Sequence, residues 1–190
     1  MVLGEFISMS SLYEAAPDAT PKPMGWGTYA TNPEIHFFLC SFVEMIDEVP
    51  DIQAFTSKVA ELHRKGISPT GKYGFSVPTF LGRMAQYTTW TDSWEQFYIN
   101  YVRTLMAVIE DAGGPDEEFR GLLETLIKKV VPRLLRPLET GGRQIQPRLV
   151  HGDLYAGNVS VHDVDFAPIL YDATSIYAHN ECRPQSTMPV

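Results

Sequence analysis

The chain has 190 residues, 44% of them hydrophobic, which is enough apolar content for one domain or two small lobes. Its formal net charge of −8 argues against nucleic acid and against an anionic membrane surface as partners. The sequence lacks a membrane-spanning apolar run and a signal-peptide pattern, and Cys40 and Cys182 lack metal-ligand spacing, so we expect a cytoplasmic protein without disulfides.

The N-terminal part of the chain has the pattern of a helix followed by strands. Residues 4–13 are compatible with a short helix, and a loop with several prolines follows at residues 17–23. Residues 25–29 and 34–45 are predicted strands. The run from Ile35 to Val43 is rich in aromatic and β-branched residues, a composition typical of the interior of a sheet.

Three amphipathic helices are predicted in the central part of the chain. The first spans Asp51–Lys65, where apolar residues recur at helical spacing. The second begins at Asp92, which forms a capping-box pattern with Glu95. The third starts at Pro115, and Pro132 is expected to kink or shorten it because proline cannot donate a backbone hydrogen bond.

An aspartate, an asparagine and a second aspartate follow a predicted buried strand. Asp153 comes directly after a His-Gly pair, and Asn158 stands five residues later. Residues 159–161 and 167–171 are predicted to form a hairpin, which would bring Asn158 and Asp172 together. A carboxylate can receive the proton of a hydroxyl group, and oxygen ligands suit magnesium. The arrangement therefore predicts a kinase-type phosphotransferase.

Two blocks of sequence lie far apart and carry a resemblance. They comprise Leu62-His63-Arg64, Ser68–Phe75 and Trp90–Trp94 in the first block, and His151–Asn158 with Asp172–Glu181 in the second. With both blocks, the chain from about Gly4 to Glu181 resembles the fructosamine kinase (ketosamine 3-kinase) family, a branch of the aminoglycoside-phosphotransferase-like kinases. The resemblance implies an α+β, protein-kinase-like fold, with a partial N-terminal-lobe sheet and a mostly helical C-terminal lobe.

The resemblance also implies roles for individual residues. Asp153 is expected to orient and deprotonate a sugar hydroxyl, while Asn158 and Asp172 hold Mg²⁺ on the phosphates of ATP. The candidates for shaping the acceptor pocket are Tyr155, Trp90, His179 and Glu181. Family members often have tryptophan where this chain has Tyr155, which keeps an aromatic face but changes its area and hydrogen bonding.

Nucleotide-binding residues are implied for the N-terminal part. Backbone groups of Ser41, Phe42 and Val43 would meet the adenine at the hinge between lobes. Glu5 matches the helix glutamate that pairs with a strand lysine in kinases. No basic residue and no glycine-rich loop precede Glu5, and the first lysine is Lys22. The sequence therefore predicts a family member that is truncated at its N-terminus.

The resemblance divides the chain into three parts. Residues 1–45 would be the remnant of the N-terminal lobe and the hinge, residues 46–181 the catalytic lobe, and residues 182–190 a disordered tail. The family continues with a helical segment where this chain has the polar tail, which predicts truncation at the C-terminus as well. We expect the missing helices to leave apolar surface uncovered near Trp94 and Phe97.

The implied function is ATP-dependent phosphorylation of the third hydroxyl of a ketosamine sugar, on glycated protein lysines or on small molecules, which leads to deglycation. Two alternatives stay open. The chain could be an inactive truncated kinase-like fragment or pseudokinase that acts through binding. It could also be a related kinase for choline, homoserine or aminoglycosides, against which the two blocks argue. The sequence does not specify the choice among ribulosamine, psicosamine and fructosamine, or the oligomeric state.

Overall fold

Helix α1 (Val2–Ala15) opens the chain and packs against a hairpin of strands β1 (Pro23–Tyr29) and β2 (Asn32–Cys40). This computed structural model describes residues 1–182, so the predicted tail lies outside the described residues except for Cys182. α1 covers the predicted segment and extends it at both ends. Its packing is close, because a Cβ atom on Gly4 would collide with the carbonyl oxygen of Pro78.

Strand β2 is shorter and more exposed than its composition predicts. It ends at Cys40, and the short strand β3 (Met45–Ile46) pairs separately with another part of the chain. Ile35 and Leu39 are each about half exposed. Only one face of the hairpin packs inward, through Phe38 against Phe6 of α1. The prediction of a sheet interior was therefore wrong, because β1 and β2 form a two-stranded sheet whose outer-face side chains are exposed.

The remaining strands form small antiparallel sheets. The strands are β4 (Phe80–Leu81) with β5 (Met84–Ala85), β6 (Arg148–Val150) with β9 (Ile176–Ala178), and β3 with β7 (Val159–His162) and β8 (Pro168–Leu170). β7 and β8 confirm the predicted hairpin, with Val159 opposite Leu170. The proposed lobe boundary at residues 45 and 46 falls within β3, which pairs with β7.

Four further helices complete the described fold. They are α2 (Ile52–Lys65), α3 (Trp94–Gly113), α4 (Glu117–Thr125) and α5 (Val131–Leu135). A π-helical segment (Leu126–Val130) precedes α5, and a 3₁₀ turn (Arg136–Glu139) follows it. The π-helical segment ends two residues before Pro132. An irregular helix is expected there, because proline lacks the N–H that a regular helix uses. None of the helices within residues 1–182 is long and apolar enough to cross a membrane.

The N-terminus of α3 differs from the predicted capping box. The helix begins at Trp94, and the cap is Ser93, whose hydroxyl accepts the Gln96 N–H at 3.3 Å. Asp92 and Glu95 instead form ion pairs, at 3.0 Å with Lys72 and at 2.7 Å with Arg136. The prediction was wrong by one residue because a distant carboxylate, that of Glu139, accepts the Trp94 N–H at 2.8 Å.

Trp94 and Phe97 lie in the main core and are 4% and 1% exposed. Their rings are stacked with centroids 5.7 Å apart, and Tyr73 and His179 contact Trp94 from other parts of the chain. Trp94 and Phe97 are themselves covered, so the uncovered apolar surface expected near them does not include these two residues. Aromatic side chains from the loop after α2 and from the segment after β9 cover them.

Glu139 joins the 3₁₀ turn after α5 to the loop after α2 and to the start of α3, and a substitution there tests these contacts. Its carboxylate accepts hydrogen bonds from the Tyr73 hydroxyl at 2.9 Å and from the Trp94 N–H. We expect Glu139→Ala to lower the free energy of unfolding by about 1–3 kcal/mol, because the Trp94 N–H loses its acceptor and the Tyr73 hydroxyl keeps only the Ile145 carbonyl oxygen, at 3.1 Å. Urea unfolding measures this change. Glu118→Ala, at an exposed position in α4, is the control. An equally small loss of unfolding free energy in the two variants would contradict the stabilising role of the Glu139 hydrogen bonds.

Candidate active site

The loop that carries Asp153 lies directly against the segment that follows Asp172. Gly152 has a φ of +88°, and a Cβ atom there would collide with the carbonyl oxygen of Thr174. The Thr174 N–H donates to the carbonyl oxygen of His151 at 2.9 Å. Only glycine allows this approach without strain. The contact continues the pairing of β6 with β9 and brings the two aspartates to one place.

His151 orients this loop from inside the protein. Its Nε2 lies 3.0 Å from the carbonyl oxygen of Tyr171, which can only accept a hydrogen bond, so Nε2 carries the proton. The Nδ1 atom therefore accepts the Asp153 N–H, at 3.4 Å. Burial lowers the pKa of His151 to about 4, while the hydrogen bond to Tyr171 opposes this in part. The ring is thus neutral at physiological pH and supports the backbone of Asp153.

Asn158 connects the two aspartates. Its Nδ2 donates to the Asp153 carboxylate at 3.2 Å, to the Asp153 backbone oxygen at 2.8 Å and to the Asp172 backbone oxygen at 3.4 Å. The residue is 2% exposed, so its rotamer is held by its surroundings. Because the amide nitrogen makes these contacts, the Oδ1 atom is the one that could coordinate a metal ion.

Asp172 adopts an unusual backbone conformation for a non-glycine residue, with a φ of +57°. Such conformations cost energy and persist only where the surroundings hold them. The support comes from both sides: the Tyr171 N–H donates to the Asn158 carbonyl oxygen at 3.1 Å, and the Ser175 N–H donates to the Ser8 hydroxyl of α1 at 2.9 Å. The left-handed turn places Asp172 at a cavity.

The cavity has a volume of about 230 Å³ and contains three carboxylates, those of Glu5, Asp153 and Asp172. Met1, Thr79, Phe80, Gly82, Ala173 and Thr174 complete its lining. Burial and then the charge of Asp172 raise the pKa of Glu5. Burial also raises the pKa of Asp153, the Asn158 hydrogen bond lowers it in part, and the charge of Asp172 raises it again. The cavity therefore favours a cation.

The donor set fits magnesium better than a transition metal. Within residues 1–182, no group of three histidine, cysteine, aspartate or glutamate side chains has metal-site geometry. Asn158 and Asp172 offer oxygen atoms only, and Mg²⁺ commonly takes one or two protein ligands, with phosphates and water supplying the rest. These two residues could therefore hold Mg²⁺ together with a nucleotide.

A family model described as fructosamine kinase matches residues 1–184. The chain belongs to the fructosamine kinase family. It is 29% identical over 183 residues to a chloroplastic protein-ribulosamine 3-kinase of Oryza sativa subsp. indica, covering 96% of this chain and 51% of the relative. It is 25% identical over 202 residues to a ketosamine-3-kinase of Mus musculus, covering 95% and 62%. The chain thus spans about half to three fifths of the length of these curated relatives.

Two solved structures share the fold of this fructosamine kinase family member. A protein from Haemophilus somnus, assigned as a fructosamine-3-kinase, superposes with a TM-score of 0.69 at 21% identity, covering 96% of this chain and 57% of that one. One from Thermobifida fusca, with the same assignment, gives 0.67 at 22% identity, covering 94% and 56%. The likeness confirms the expected α+β, kinase-like fold.

The segment that the family resemblance implies as the hinge is an extended connection between β2 and β3. The Ser41 hydroxyl accepts the Lys22 N–H at 2.8 Å, Phe42 is 91% exposed, and Val43 is half-buried. None of these three residues lines the cavity of Asp153. Cys40, at the end of β2, lies close enough to Glu5 of that cavity for the two groups to interact. Burial, and then the charge of Glu5, raise the pKa of the Cys40 thiol.

The four acceptor candidates occupy different places. The ring of Tyr155, in the loop of Asp153, covers the backbone of Gly157 and is 39% exposed. Trp90 stacks on Tyr177 with centroids 6.0 Å apart. His179 lines another cavity, and its Nδ1 accepts the Glu181 N–H at 3.1 Å. Tyr155 lies two residues after Asp153 in the chain, and none of the four candidates is in the lining of that cavity.

Gln86 is a supporting residue that sequence reasoning missed. It is 5% exposed, and its Nε2 donates to the Thr174 carbonyl oxygen at 2.8 Å and to the Thr79 hydroxyl at 3.0 Å. Its Oε1 accepts the Tyr101 hydroxyl at 3.3 Å. It thus ties α3 to two residues that line the cavity. In the sequence, Gln86 is a single amide side chain after the apolar pair Met84-Ala85. Such a pattern is too common to predict this role.

The neutral His151 gives a prediction about pH. The unfolded chain binds a proton at this residue near its ordinary pKa of 6.5, whereas burial delays protonation in the folded protein to about 4. Stability contributed by the neutral ring is therefore present above pH 6.5 and is lost as the pH falls from 6.5 to 4. Between pH 7.5 and 5.0, the free energy of unfolding should fall by about 2 kcal/mol through this residue.

Urea unfolding at both pH values measures the change. The raised pKa values of Glu5 and Asp153 act in the opposite sense, so the difference between the parent and His151→Gln isolates the histidine contribution. An identical pH dependence in the two proteins would show that His151 is not held neutral by the fold.

Gln86→Leu should lower the free energy of unfolding by about 1–3 kcal/mol, because the Thr174 carbonyl and the Tyr101 hydroxyl lose a buried partner. Thermal and urea unfolding measure the loss. Gln96→Leu is the matched control, since Gln96 is an exposed glutamine of α3 whose side chain donates to Asn100 at 2.9 Å. If both variants changed stability equally, the bridging role of Gln86 would be refuted.

Proposed function

We propose that this chain carries the acceptor-activating and metal-binding part of an ATP-dependent ketosamine kinase. The observation that carries the proposal is the meeting of Asp153 and Asp172 at one acidic cavity, with the buried Asn158 side chain hydrogen bonded to the Asp153 carboxylate and to the Asp172 backbone oxygen. Family membership gives the reaction class, and the curated relatives are named for ribulosamine and ketosamine kinases. Phosphoryl transfer depends mainly on positioning and on charge stabilisation, which such a cavity can supply.

Each residue has one role in the proposed reaction. Asp153 accepts the proton of the sugar's third hydroxyl as that oxygen bonds to the γ-phosphorus of ATP, and the bond from this phosphorus to the bridging oxygen breaks, so that ADP leaves. Its raised pKa suits a group that gains a proton. The oxygen atoms of Asn158 and Asp172 hold Mg²⁺, which neutralises charge on the phosphates when it is bound. Neutral His151 maintains the loop of Asp153, and Gln86 maintains the segment after Asp172.

The proposed acceptors are ribulosamine or fructosamine adducts, on protein lysines or on small molecules. Phosphorylation of the third hydroxyl destabilises such an adduct and frees the amine, which is deglycation. Tyr155, Trp90, His179 and Glu181 are proposed to shape the acceptor pocket, and Ser41, Phe42, Val43 and Glu5 to contact the nucleotide. The expected cytoplasmic location remains a prediction, and the name of the rice relative describes that protein as chloroplastic.

A second candidate function is binding without catalysis. Within residues 1–182, no ion pair joins Glu5 to a basic side chain, and no lysine or arginine lines the cavity of the three carboxylates. In kinases a lysine pairs with the corresponding glutamate and contacts the phosphates, and a kinase-like protein without such a pair would transfer phosphate slowly. Nucleotide or acceptor binding could persist in such a protein.

Magnesium-dependent ATP binding separates the roles of the two aspartates. Calorimetry on the purified chain should show binding that requires Mg²⁺ and that Asp172→Asn weakens by at least about tenfold, because a charged ligand of the metal is lost. Asp153→Asn should bind ATP nearly as well as the parent, and Asp111→Asn, at the exposed end of α3, is the control. Equal binding by all variants would refute the metal assignment.

Transfer to a synthetic ribulosamine and a synthetic fructosamine, followed by phosphorus NMR, tests the reaction itself. Asp153→Asn should lower the rate by about 10²- to 10⁴-fold without loss of folded structure, because the general base is gone. ATP binding without transfer would favour the binding-only function. Transfer to an aminoglycoside or to choline, and not to either ketosamine, would exclude deglycation as the function.

A further inference from the structure

A second cavity, of about 630 Å³, is lined by basic and neutral side chains. It contains Arg64, Arg148, His63 and His179, and the amide side chains beside them include Gln146 and Asn180. No aspartate or glutamate is part of its lining. This is unusual in a chain with a net charge of −8, and it contrasts with the three carboxylates of the candidate active site.

The two arginines of this basic cavity lack carboxylate partners. Among the ion pairs formed within residues 1–182, none involves Arg64 or Arg148, although other arginines, such as Arg120 and Arg136, pair closely with glutamates. Arg148 is half-buried on β6, and its Nη1 donates to the Arg64 backbone oxygen at 3.0 Å. This hydrogen bond holds one side of the guanidinium group and leaves its other N–H groups for a ligand.

We propose that the basic cavity binds an oxyanion, namely the phosphate or carboxylate group of a small molecule. A planar guanidinium presents paired N–H donors that match the oxygens of these groups, and charge-assisted hydrogen bonds of this kind are the strong ones. Neighbouring positive groups in a concave surface reinforce one another's field. The volume lies within the usual range for small-molecule sites and is larger than a bare anion requires.

The basic cavity stands next to the strands that hold the candidate active site. Arg148 begins β6, which leads through Val150 to the loop of Asp153. Its partner in the register is Ala178 of β9, and His179 follows directly. A bound oxyanion would thus contact both strands of one pair. The binding proposal itself does not depend on phosphotransfer activity.

Calorimetry or ligand-observed NMR with inorganic phosphate, acetate, a hexose 6-phosphate and the parent hexose tests the proposal. The titrations use the full chain in EDTA, so that the carboxylate-lined cavity has no metal ion to attract phosphate. We expect saturable binding of phosphate and hexose phosphate, and none of the neutral hexose. Comparison of acetate with phosphate distinguishes a carboxylate site from a phosphate site. Absence of saturable binding for every anion would overturn the proposal.

Arg64→Gln and Arg148→Gln should each weaken phosphate binding by about tenfold, because each removes a charged donor. Arg133→Gln, which removes an exposed arginine of α5 that does not line the cavity, should leave affinity unchanged. Arg64 is itself exposed, so its variant decides the question if Arg148→Gln fails to fold. Equal affinity in Arg64→Gln and Arg133→Gln would refute the site. Retained phosphate binding in Asp172→Asn would show that the basic cavity is a site separate from the candidate active site.

Discussion

The close contact between Gly152 and Thr174 is the constraint on which the candidate site depends. It places the end of β6 against the segment that follows Asp172. The His151 carbonyl oxygen accepts the Thr174 N–H of that segment, and the His151 imidazole donates to the carbonyl oxygen of Tyr171, just before Asp172. A side chain larger than that of glycine would separate the two loops. The separation of the two aspartates is therefore set by backbone packing rather than by the aspartates themselves, which repel one another.

Electrostatics then decides what the site can bind. Three carboxylates line one cavity without a basic side chain. For the partly buried Glu5 and Asp153, the charge of Asp172 adds to the cost of burial and raises their pKa values. A bound divalent cation would relieve this cost, and it would allow phosphates to bind where the carboxylates alone would repel them. The basic cavity at Arg148 has the opposite sign, so the two places would select different ligands on the same pair of strands.

Local patterns predicted much of the fold and the central part of the site. The β7–β8 hairpin, the helix after Pro50 and the irregular helix at Pro132 follow from residues near one another in the chain. Predictions failed where a distant residue intervened. Glu139 accepts the N–H of Trp94, where α3 begins, and the outer face of β2 is exposed because burial depends on what packs against a strand rather than on its composition.

The sequence by itself determined that Asp153, Asn158 and Asp172 share one place, because a short loop and a hairpin join them and leave few other arrangements. Only the tertiary structure decided what surrounds them. Ser8 supports the turn after Asp172 from 167 residues away, and Gln86 does so from 88. It also placed His179 at a different cavity from Asp153. Such contacts arise from the packing of whole elements, and spacing along the chain carries no record of them.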